Sequence, residues 1–276
     1  MFKKCLSILL LLAAVLTISS CSKYQRLLKG SDYDGKYNAA VKYYEKKDYY
    51  RCLQLLEELI VIFRGTGKGE DVYYYYAKSN YATRDYVAAA YHFENFIKTF
   101  PSSPRAEECA FLVAYCYYLD SPQSSLDQEN TFLAIEQFQL FINHYPQSEK
   151  VAESNKIMDE LLHKIETKAF NNAKTFYYIE EYKAAVASLN NVIRDYPGTT
   201  HKEECLYLIL KSYYLYAQKS VEEKKLERYK SALEAYQALK ESFPNSAYFK
   251  QVESTRLSVL KEMKGLESSP KASINN

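Results

Sequence analysis

The chain has 276 residues, of which 47% are hydrophobic, and a formal net charge of +2. This near-balance excludes the strongly basic surface that steers a protein towards nucleic acid. Glycine and proline are scarce, at seven each, whereas tyrosine is abundant at 29 and tryptophan is absent. Low glycine and proline favour a mostly helical protein, and the length is sufficient for one extended array of helices or for two domains.

The first 20 residues predict a secretory signal. The chain starts with Met1-Phe2-Lys3-Lys4, and the stretch from Cys5 to Ile18 is mostly apolar and uncharged. At 1.5 Å per residue this stretch makes about 21 Å of helix, whereas a bilayer core needs about 20 residues. It fits the hydrophobic region of a cleaved signal peptide, and Ser19-Ser20 suits a cleavage site. We therefore expect residues 1–20 to be removed.

Cys21 follows this signal directly. A bacterial lipoprotein needs a cysteine at this position, because the thiol receives a diacylglycerol and the freed amine is then acylated. Ile18-Ser19-Ser20-Cys21 resembles that lipobox, and a chance cysteine in an ordinary secreted protein is the alternative. One acyl chain anchors a protein only marginally, whereas two or three chains anchor it stably. Residues 21–32 would then form a lipidated tether.

The residues after Cys21 indicate which membrane holds the anchor. In lipoprotein sorting an acidic residue after the cysteine favours the inner membrane, so Ser22 favours the outer membrane. Surface-exported lipoproteins resemble one another in carrying an acidic cluster here, and Lys23-Tyr24-Gln25-Arg26 contains no acidic residue. We therefore expect a lipid-anchored protein on the periplasmic face of the outer membrane.

From residue 33 to residue 264 the chain repeats itself. FIKTFPSSPRAEECAFLVAYCYY from Phe96 and VIRDYPGTTHKEECLYLILKSYY from Val192 place Glu-Glu-Cys and Tyr-Tyr at the same distances after an aromatic–proline pair. Such pairs recur at intervals of roughly 37 to 51 residues, which is typical of stacked supersecondary units. The pairs are Phe100-Pro101, Tyr145-Pro146, Tyr196-Pro197 and Phe243-Pro244, and Phe63-Arg64 is a fifth copy without the proline.

Upstream of each pair, a small residue and two bulky residues follow one another at steps of four and three, which places them on one helix face. The small residue lets a neighbouring helix approach, and the bulky ones fill the space beside it. Proline then ends the helix, because it lacks an N–H and clashes with the preceding turn. The small residues are Cys52, Ala89, Ala134, Ala185 and Ala232; the bulky ones are Leu56, Phe93, Phe138, Leu189 and Tyr236, then Leu59, Phe96, Phe141, Val192 and Leu239.

A small residue, an aromatic one four positions later and a terminal proline resemble the second helix of the tetratricopeptide repeat. First helices match less closely: Tyr73, Tyr76 and Ala77 fit in the second repeat, but Asn80 replaces the family's aromatic residue. The resemblance implies an all-α fold, a superhelical array of about five tetratricopeptide-like helix pairs. The longer third and fifth repeats contain 120–130 and 217–228, either as tolerated insertions or as partner surface. Residues 265–276 lack apolar periodicity, and we expect a disordered tail there.

No stretch predicts catalysis, a metal or another cofactor. Residues 64–71, RGTGKGED, lack the phosphate-loop pattern and predict a turn between helices. The four histidines are scattered, and the adjacent pairs Glu107-Glu108 and Glu203-Glu204 suit the dipole at the start of a helix. Cys109 and Cys116 lie about 10 Å apart along one predicted helix, too far for a disulfide. We interpret these two cysteines, with Cys52 and Cys205, as small buried apolar residues.

The tyrosines are better candidates for a site. In tetratricopeptide arrays the first helices line a concave groove, and the family's groove positions correspond here to Tyr37 and Tyr44 in the first repeat and to Tyr74 and Tyr81 in the second. Tyrosine offers a large apolar face and a polar tip at low entropic cost, which suits peptide binding. The alternative is that the run Tyr73–Tyr76 mostly packs between helices.

A lipobox, a short tether and about five such repeats together resemble the BamD family, the tetratricopeptide lipoproteins of the outer-membrane β-barrel assembly machinery. The resemblance implies a scaffold that binds the barrel-forming BamA subunit, receives unfolded outer-membrane proteins and assists their insertion without nucleotide. The alternative is an adaptor lipoprotein in another envelope process, such as cell division or the regulation of peptidoglycan enzymes. A carbohydrate-uptake lipoprotein would use tryptophan-rich sugar platforms, which this chain lacks.

Overall fold

The computed structural model describes residues 23–268, and this part of the chain is built from α-helices joined by turns. Cys21 and the predicted signal lie outside the described residues. Contacts divide the chain into two compact units: unit 1 contains residues up to Pro122 together with Gln128–Met158, and unit 2 contains Gln123–Asp127 together with residues from Asp159 onward. Across residues 23–268, no helix has both the length and the apolar character that crossing a membrane requires.

Unit 1 starts with a helical segment at 23–29, α1, and continues with three helix pairs. Within and between these pairs, each helix packs against the next one along the chain. The pairs are Tyr33–Glu45 (α2) with Tyr49–Ile62 (α3), Gly67–Ala82 (α4) with Tyr86–Thr99 (α5), and Ala106–Asp120 (α6) with Glu129–His144 (α7).

Unit 2 is built from the second part of a long helix, Val151–Tyr178 (α8), and from four further helices. These are Tyr182–Asp195 (α9), Lys202–Gln218 (α10), Glu222–Ser242 (α11) and Phe249–Ser268 (α12). Helix α10 packs against α9, α11 and α12. Helix α12 continues past Gly265, where the sequence predicted the start of a tail, and residues 269–276 lie outside the described part.

The helix face predicted from the repeats forms the core. The small and bulky residues upstream of each aromatic pair are all buried, from Cys52 in α3 to Leu239 in α11. The all-α prediction with tetratricopeptide-like pairs is therefore confirmed. Close packing follows from the sequence, because a small residue on each second helix admits the neighbouring helix while Leu, Phe or Tyr one turn later fills the remaining volume.

The turns inside three of the pairs share one geometry. Lys47, Arg84 and Glu180 have positive φ angles of 59°, 64° and 65°. The N–H of the residue that follows each of them donates to a carbonyl in the last turn of the first helix, at 2.9 to 3.0 Å. Asp48 and Asp85 then cap the second helices by accepting from backbone N–H groups.

Residues 64–71 form the predicted turn and the start of α4. Gly65 has a φ angle of 77°, Thr66 is the N-cap and Gly67 is the first helical residue. The longer repeats differ from each other. In the third, residues 121–128 connect α6 to α7, whereas in the fifth most of 217–228 lies in α11.

The cysteines of the described part are buried and free, as the sequence predicted. They are Cys52, Cys109, Cys116 and Cys205. Burial raises the pKa of Cys109, Cys116 and Cys205 to about 12. These thiols therefore stay protonated at neutral pH and behave as small apolar groups.

Candidate peptide-binding groove

The four tyrosines predicted to line a groove lie on α2 and α4, and each is half-buried. Burial raises the pKa of all four hydroxyls, to about 12 for Tyr37 and Tyr44. At neutral pH each hydroxyl therefore keeps its proton and can donate a hydrogen bond. Tyr37 and Tyr74 occupy equivalent positions in their helices, and so do Tyr44 and Tyr81.

Tyr37 and Tyr74 connect each first helix to the next one. Tyr37 Oη donates to Asp71 Oδ2 at 3.2 Å, and Tyr74 Oη donates to Glu108 Oε2 at 2.8 Å. Donor and acceptor are 34 residues apart in both cases, which is the length of a tetratricopeptide repeat. The two hydroxyls therefore link α2 to α4 and α4 to α6.

A cation lies over each of these two rings. Lys68 Nζ is 5.8 Å from the centroid of Tyr37, and the Arg105 guanidinium is 4.6 Å from the centroid of Tyr74. Both distances are within the range of a cation–π interaction. Arg105 also donates to Asp71 at 2.6 Å, so one carboxylate accepts from both Tyr37 and Arg105.

Glu108 accepts two side-chain hydrogen bonds at the start of α6. It accepts from Tyr74 through Oε2 and from Lys78 through Oε1, at 2.8 and 2.9 Å. Burial works to raise the pKa of Glu108, but these hydrogen bonds outweigh burial and the pKa lies below its ordinary value. The carboxylate is therefore charged at neutral pH, and the position suits the positive end of the helix dipole.

A side chain covers an aromatic ring of the first helix in all five repeats, and sequence reasoning did not find this contact. The covering residue lies four positions after the proline of the aromatic–proline pair, or after Arg64 in the first repeat. We call these contacts joint pairs. They are Tyr37–Lys68, Tyr74–Arg105, Phe111–Lys150, Phe170–His201 and Tyr207–Tyr248, with centroid distances of 5.8, 4.6, 5.0, 4.4 and 4.4 Å. The aromatic residue of each joint pair can be recognised in the sequence, whereas its contact with the covering side chain cannot.

Tyr44 and Tyr81 contact the second helix of their own pair. The Tyr44 and Tyr49 rings are 5.6 Å apart, and the Tyr81 and Tyr86 rings are 5.9 Å apart. Unit 2 has the same contacts between Tyr177 and Tyr182 and between Tyr214 and Tyr229, at 6.1 and 6.2 Å. Many of the tyrosines therefore close helix pairs as well as exposing part of their rings.

The structure brings three of the four predicted residues into one cluster. The Tyr75 ring is 4.9 Å from Tyr44 and 5.9 Å from Tyr74, and Asp71 connects Tyr37 to the Arg105 that covers Tyr74. The alternative role also occurs nearby, because Tyr73 and Tyr76 pack edge-on against His92. Within residues 23–268, no group of three or more His, Cys, Asp or Glu side chains could hold a metal ion.

Comparisons with known proteins point to one family. The family model YfiO, described as an outer membrane lipoprotein, matches residues 31–227, and a tetratricopeptide-repeat model matches residues 220–246. Two relatives are named outer membrane protein assembly factor BamD. The one from Caulobacter vibrioides is 22% identical over 49% of this chain and 44% of its own length, and the one from Rickettsia prowazekii is 23% identical over 64% and 70%.

The chain thus spans less than half the length of the Caulobacter relative. Among solved structures, the yeast Sti1 TPR2AB-domain:pHSP90 complex matches 84% of this chain and 100% of the solved chain, with 12% identity and a TM-score of 0.37.

Proposed function

This chain belongs to the YfiO family of outer membrane lipoproteins, the family of BamD, and from that premise we propose that it assists the assembly of β-barrel proteins in the outer membrane. The observation that carries the proposal is the family match over residues 31–227. The names of both relatives, outer membrane protein assembly factor, support it.

In this proposal Cys21 carries the lipid anchor and the protein lies on the periplasmic face of the outer membrane. The lipobox at residues 18–21 and the description of the family as lipoproteins support this placement. Mass spectrometry of the mature protein purified from membranes tests it. We expect the chain to begin at Cys21 with a diacylglycerol on the thiol and an acyl chain on the amine. An unmodified cysteine or a different first residue would contradict the anchor.

The protein would act as a scaffold, binding the barrel-forming BamA subunit and unfolded outer-membrane proteins and carrying out no chemical step. Affinity capture of the full-length tagged lipoprotein from solubilised membranes tests the partner. We expect to recover a large β-barrel protein that has several periplasmic domains. Recovery of a cell-division protein or a peptidoglycan enzyme in its place would support the adaptor function and reject this one.

Unfolded substrate would contact Tyr37, Tyr44, Tyr74 and Tyr81. Their rings are half-buried, so part of each aromatic surface faces solvent, and the protonated hydroxyls can donate to peptide carbonyls. Tyr37 and Tyr74 are also the aromatic members of joint pairs, so replacing them with alanine would disturb the packing between helices. Tyr44 and Tyr81 belong to no joint pair, and unit 2 repeats their contact with the second helix, so variants at these two positions can be compared with matched variants there.

Cross-linking to a peptide from an unfolded β-barrel protein, ending in an aromatic residue, tests this groove. We expect Tyr44→Ala and Tyr81→Ala each to weaken binding about fivefold, corresponding to about 1 kcal/mol. Tyr177→Ala and Tyr214→Ala are matched controls, because these tyrosines make the same intra-pair contact in unit 2. The groove proposal fails if the two sets of variants cross-link equally well.

A further inference from the structure

Helix α1 is docked on unit 1, although the sequence predicted a tether there. Tyr24 is only 8% exposed, and Leu27 and Leu28 pack against the same apolar cluster as residues of α2 and α3. Tyr24 Oη donates to Gln54 Oε1 at 2.6 Å, and its ring is 5.7 Å from that of Tyr43. The apolar face of α1 therefore fixes this segment on the protein surface.

The opposite face of α1 is basic. Lys23, Arg26 and Lys29 are exposed and follow one another at steps of three residues, so they share one side of the helix. The segment from residue 23 to residue 30 contains no acidic residue. A docked helix with an exposed basic face is suited to a surface of negative charge.

Two further side chains extend this surface onto α3. Tyr50 is 73% exposed and lies one turn before Gln54, the residue that accepts from Tyr24. The Arg51 guanidinium is 5.5 Å from the Tyr24 ring and forms an ion pair with Asp48 at 2.9 Å, while its side chain stays 48% exposed. We call Lys23, Arg26, Lys29, Tyr50 and Arg51 the α1 patch. Basic side chains beside an exposed aromatic ring are typical of segments that lie in a membrane interface.

The α1 patch is close to the proposed lipid anchor, and this step rests on the proposed acylation of Cys21. A chain spans at most about 3.6 Å per residue, so a lipid anchor three residues before Tyr24 is attached no more than about 11 Å along the backbone from it. Because Tyr24 is fixed on α2 and α3, acyl chains on Cys21 would hold lipid headgroups within reach of the patch. The charge of the patch is complementary to anionic headgroups.

We propose that the α1 patch lies on the bilayer surface and binds anionic phospholipid headgroups, so that this end of unit 1 faces the membrane. Each basic residue near an anionic surface strengthens binding about fivefold. The lipid anchor then sets where the protein is, and the patch sets which side of unit 1 is turned to the membrane.

Vesicle binding tests the patch without the anchor. The mature chain carrying Cys21→Ser would be sedimented with vesicles of phosphatidylcholine alone, or of phosphatidylcholine and phosphatidylglycerol in equal parts. We expect binding to the mixed vesicles that weakens with added salt. The triple variant Lys23→Gln, Arg26→Gln, Lys29→Gln should bind at least about tenfold more weakly.

A second triple variant is the matched control. Lys183→Gln, Lys230→Gln and Lys261→Gln remove the same charge from exposed lysines of unit 2. Equal losses in the two triple variants, or no binding of the unsubstituted mature chain to the mixed vesicles, would overturn the proposal. Vesicle binding that depends on the α1 patch, found together with an unmodified Cys21 in the native protein, would support the patch and reject the anchor.

The orientation has a separate readout on the acylated protein in mixed vesicles. An environment-sensitive dye on Tyr50→Cys should shift to shorter wavelength and be quenched by headgroup spin labels. The same dye on Val61→Cys should not respond, because Val61 is 74% exposed at the other end of α3, about 16 Å away. The native cysteines of the described part should not be labelled, because their side chains are fully buried. Equal responses at both positions would contradict the orientation.

Discussion

At the scale of single residues, the start of α4 depends on an absent side chain. A Cβ atom on Gly69 would lie 2.4 Å from the carbonyl oxygen of Phe63. That oxygen is held in place, because it accepts from the backbone N–H of Thr66 at 3.0 Å and from its hydroxyl at 2.7 Å. Neither partner can shift easily, so the position requires glycine. Lys68, the preceding residue, covers the Tyr37 ring from the same turn.

Replacing Gly69 with alanine should lower the free energy of unfolding by about 1–3 kcal/mol, because the new methyl group overpacks a fixed backbone contact. Gly67→Ala is the control: it lies in the same turn, and a Cβ atom there would meet no other atom within 4 Å. We expect Gly67→Ala to leave stability unchanged or to raise it slightly. Urea denaturation measures both variants, and equal stability of the two would contradict the argument.

At the scale of helices, the turns inside the pairs carry backbone strain. Lys47, Arg84 and Glu180 adopt the left-handed conformation that glycine usually occupies at the end of a helix. For a residue with a Cβ atom this conformation costs about 1–2 kcal/mol. The three helix ends are therefore less stable than they could be, and the hydrogen bonds of each turn hold the strained residue in place.

Arg84→Gly should raise the free energy of unfolding by about 0.5–1 kcal/mol, because glycine relieves the strain but gains flexibility in the unfolded chain. Arg84→Ala separates the two possible causes. Alanine removes the side chain while keeping the Cβ atom, so we expect no gain from it. A similar increase in thermal stability for both variants would show that the arginine side chain, and not the backbone, is the source of the effect.

Residue spacings within single helices explain which part of the fold could be predicted from the sequence. The second-helix faces follow from spacings within one helix, and all of the predicted residues, such as Ala89 and Phe93, are buried. The joint pairs could not be predicted in the same way. Arg105 reaches Tyr74 only because a turn and the next helix place it there. The positive φ angles were also invisible, because no glycine marks those turns.

Helix α8 shows a further limit of sequence reasoning. The repeats locate first helices from their second helices, and no proline occurs between residues 151 and 178 to mark where the fourth repeat begins. The structure has one uninterrupted helix there, which starts in unit 1 and ends in unit 2. Helical periodicity continues smoothly through such a stretch, so no local signal separates the two parts.

At the scale of the whole molecule, the two units contain matching joint pairs with different electrostatics. In unit 1, Arg105 covers Tyr74 and donates to Asp71 at 2.6 Å. In unit 2, His201 occupies the equivalent position, stacks on Phe170 and contacts Thr167 at 3.3 Å. Arginine keeps its charge at every physiological pH, whereas histidine gains one in mild acid. Of these two joint pairs, only Phe170–His201 should therefore respond to mild acidification.

The sign of that response follows from the surroundings of His201. Burial lowers the pKa of His201, and the nearby His163 and Lys174 lower it further, while Glu204 and Glu166 partly oppose them. The unfolded chain therefore binds a proton at a higher pH than the folded chain does. The contribution of His201 to the free energy of unfolding is fully present above the pKa of histidine in the unfolded chain, about 6.5. This contribution is lost as the pH falls below that value.

The double variant His201→Arg, Thr167→Asp gives unit 2 the Arg–Asp arrangement of unit 1. Between about pH 7.5 and pH 5 it should lose less stability than the unsubstituted protein, measured by urea denaturation at each pH. Part of the loss should remain, because burial also lowers the pKa of His92 in unit 1. An unchanged pH dependence in the double variant would mean that His201 does not couple protonation to the stability of unit 2.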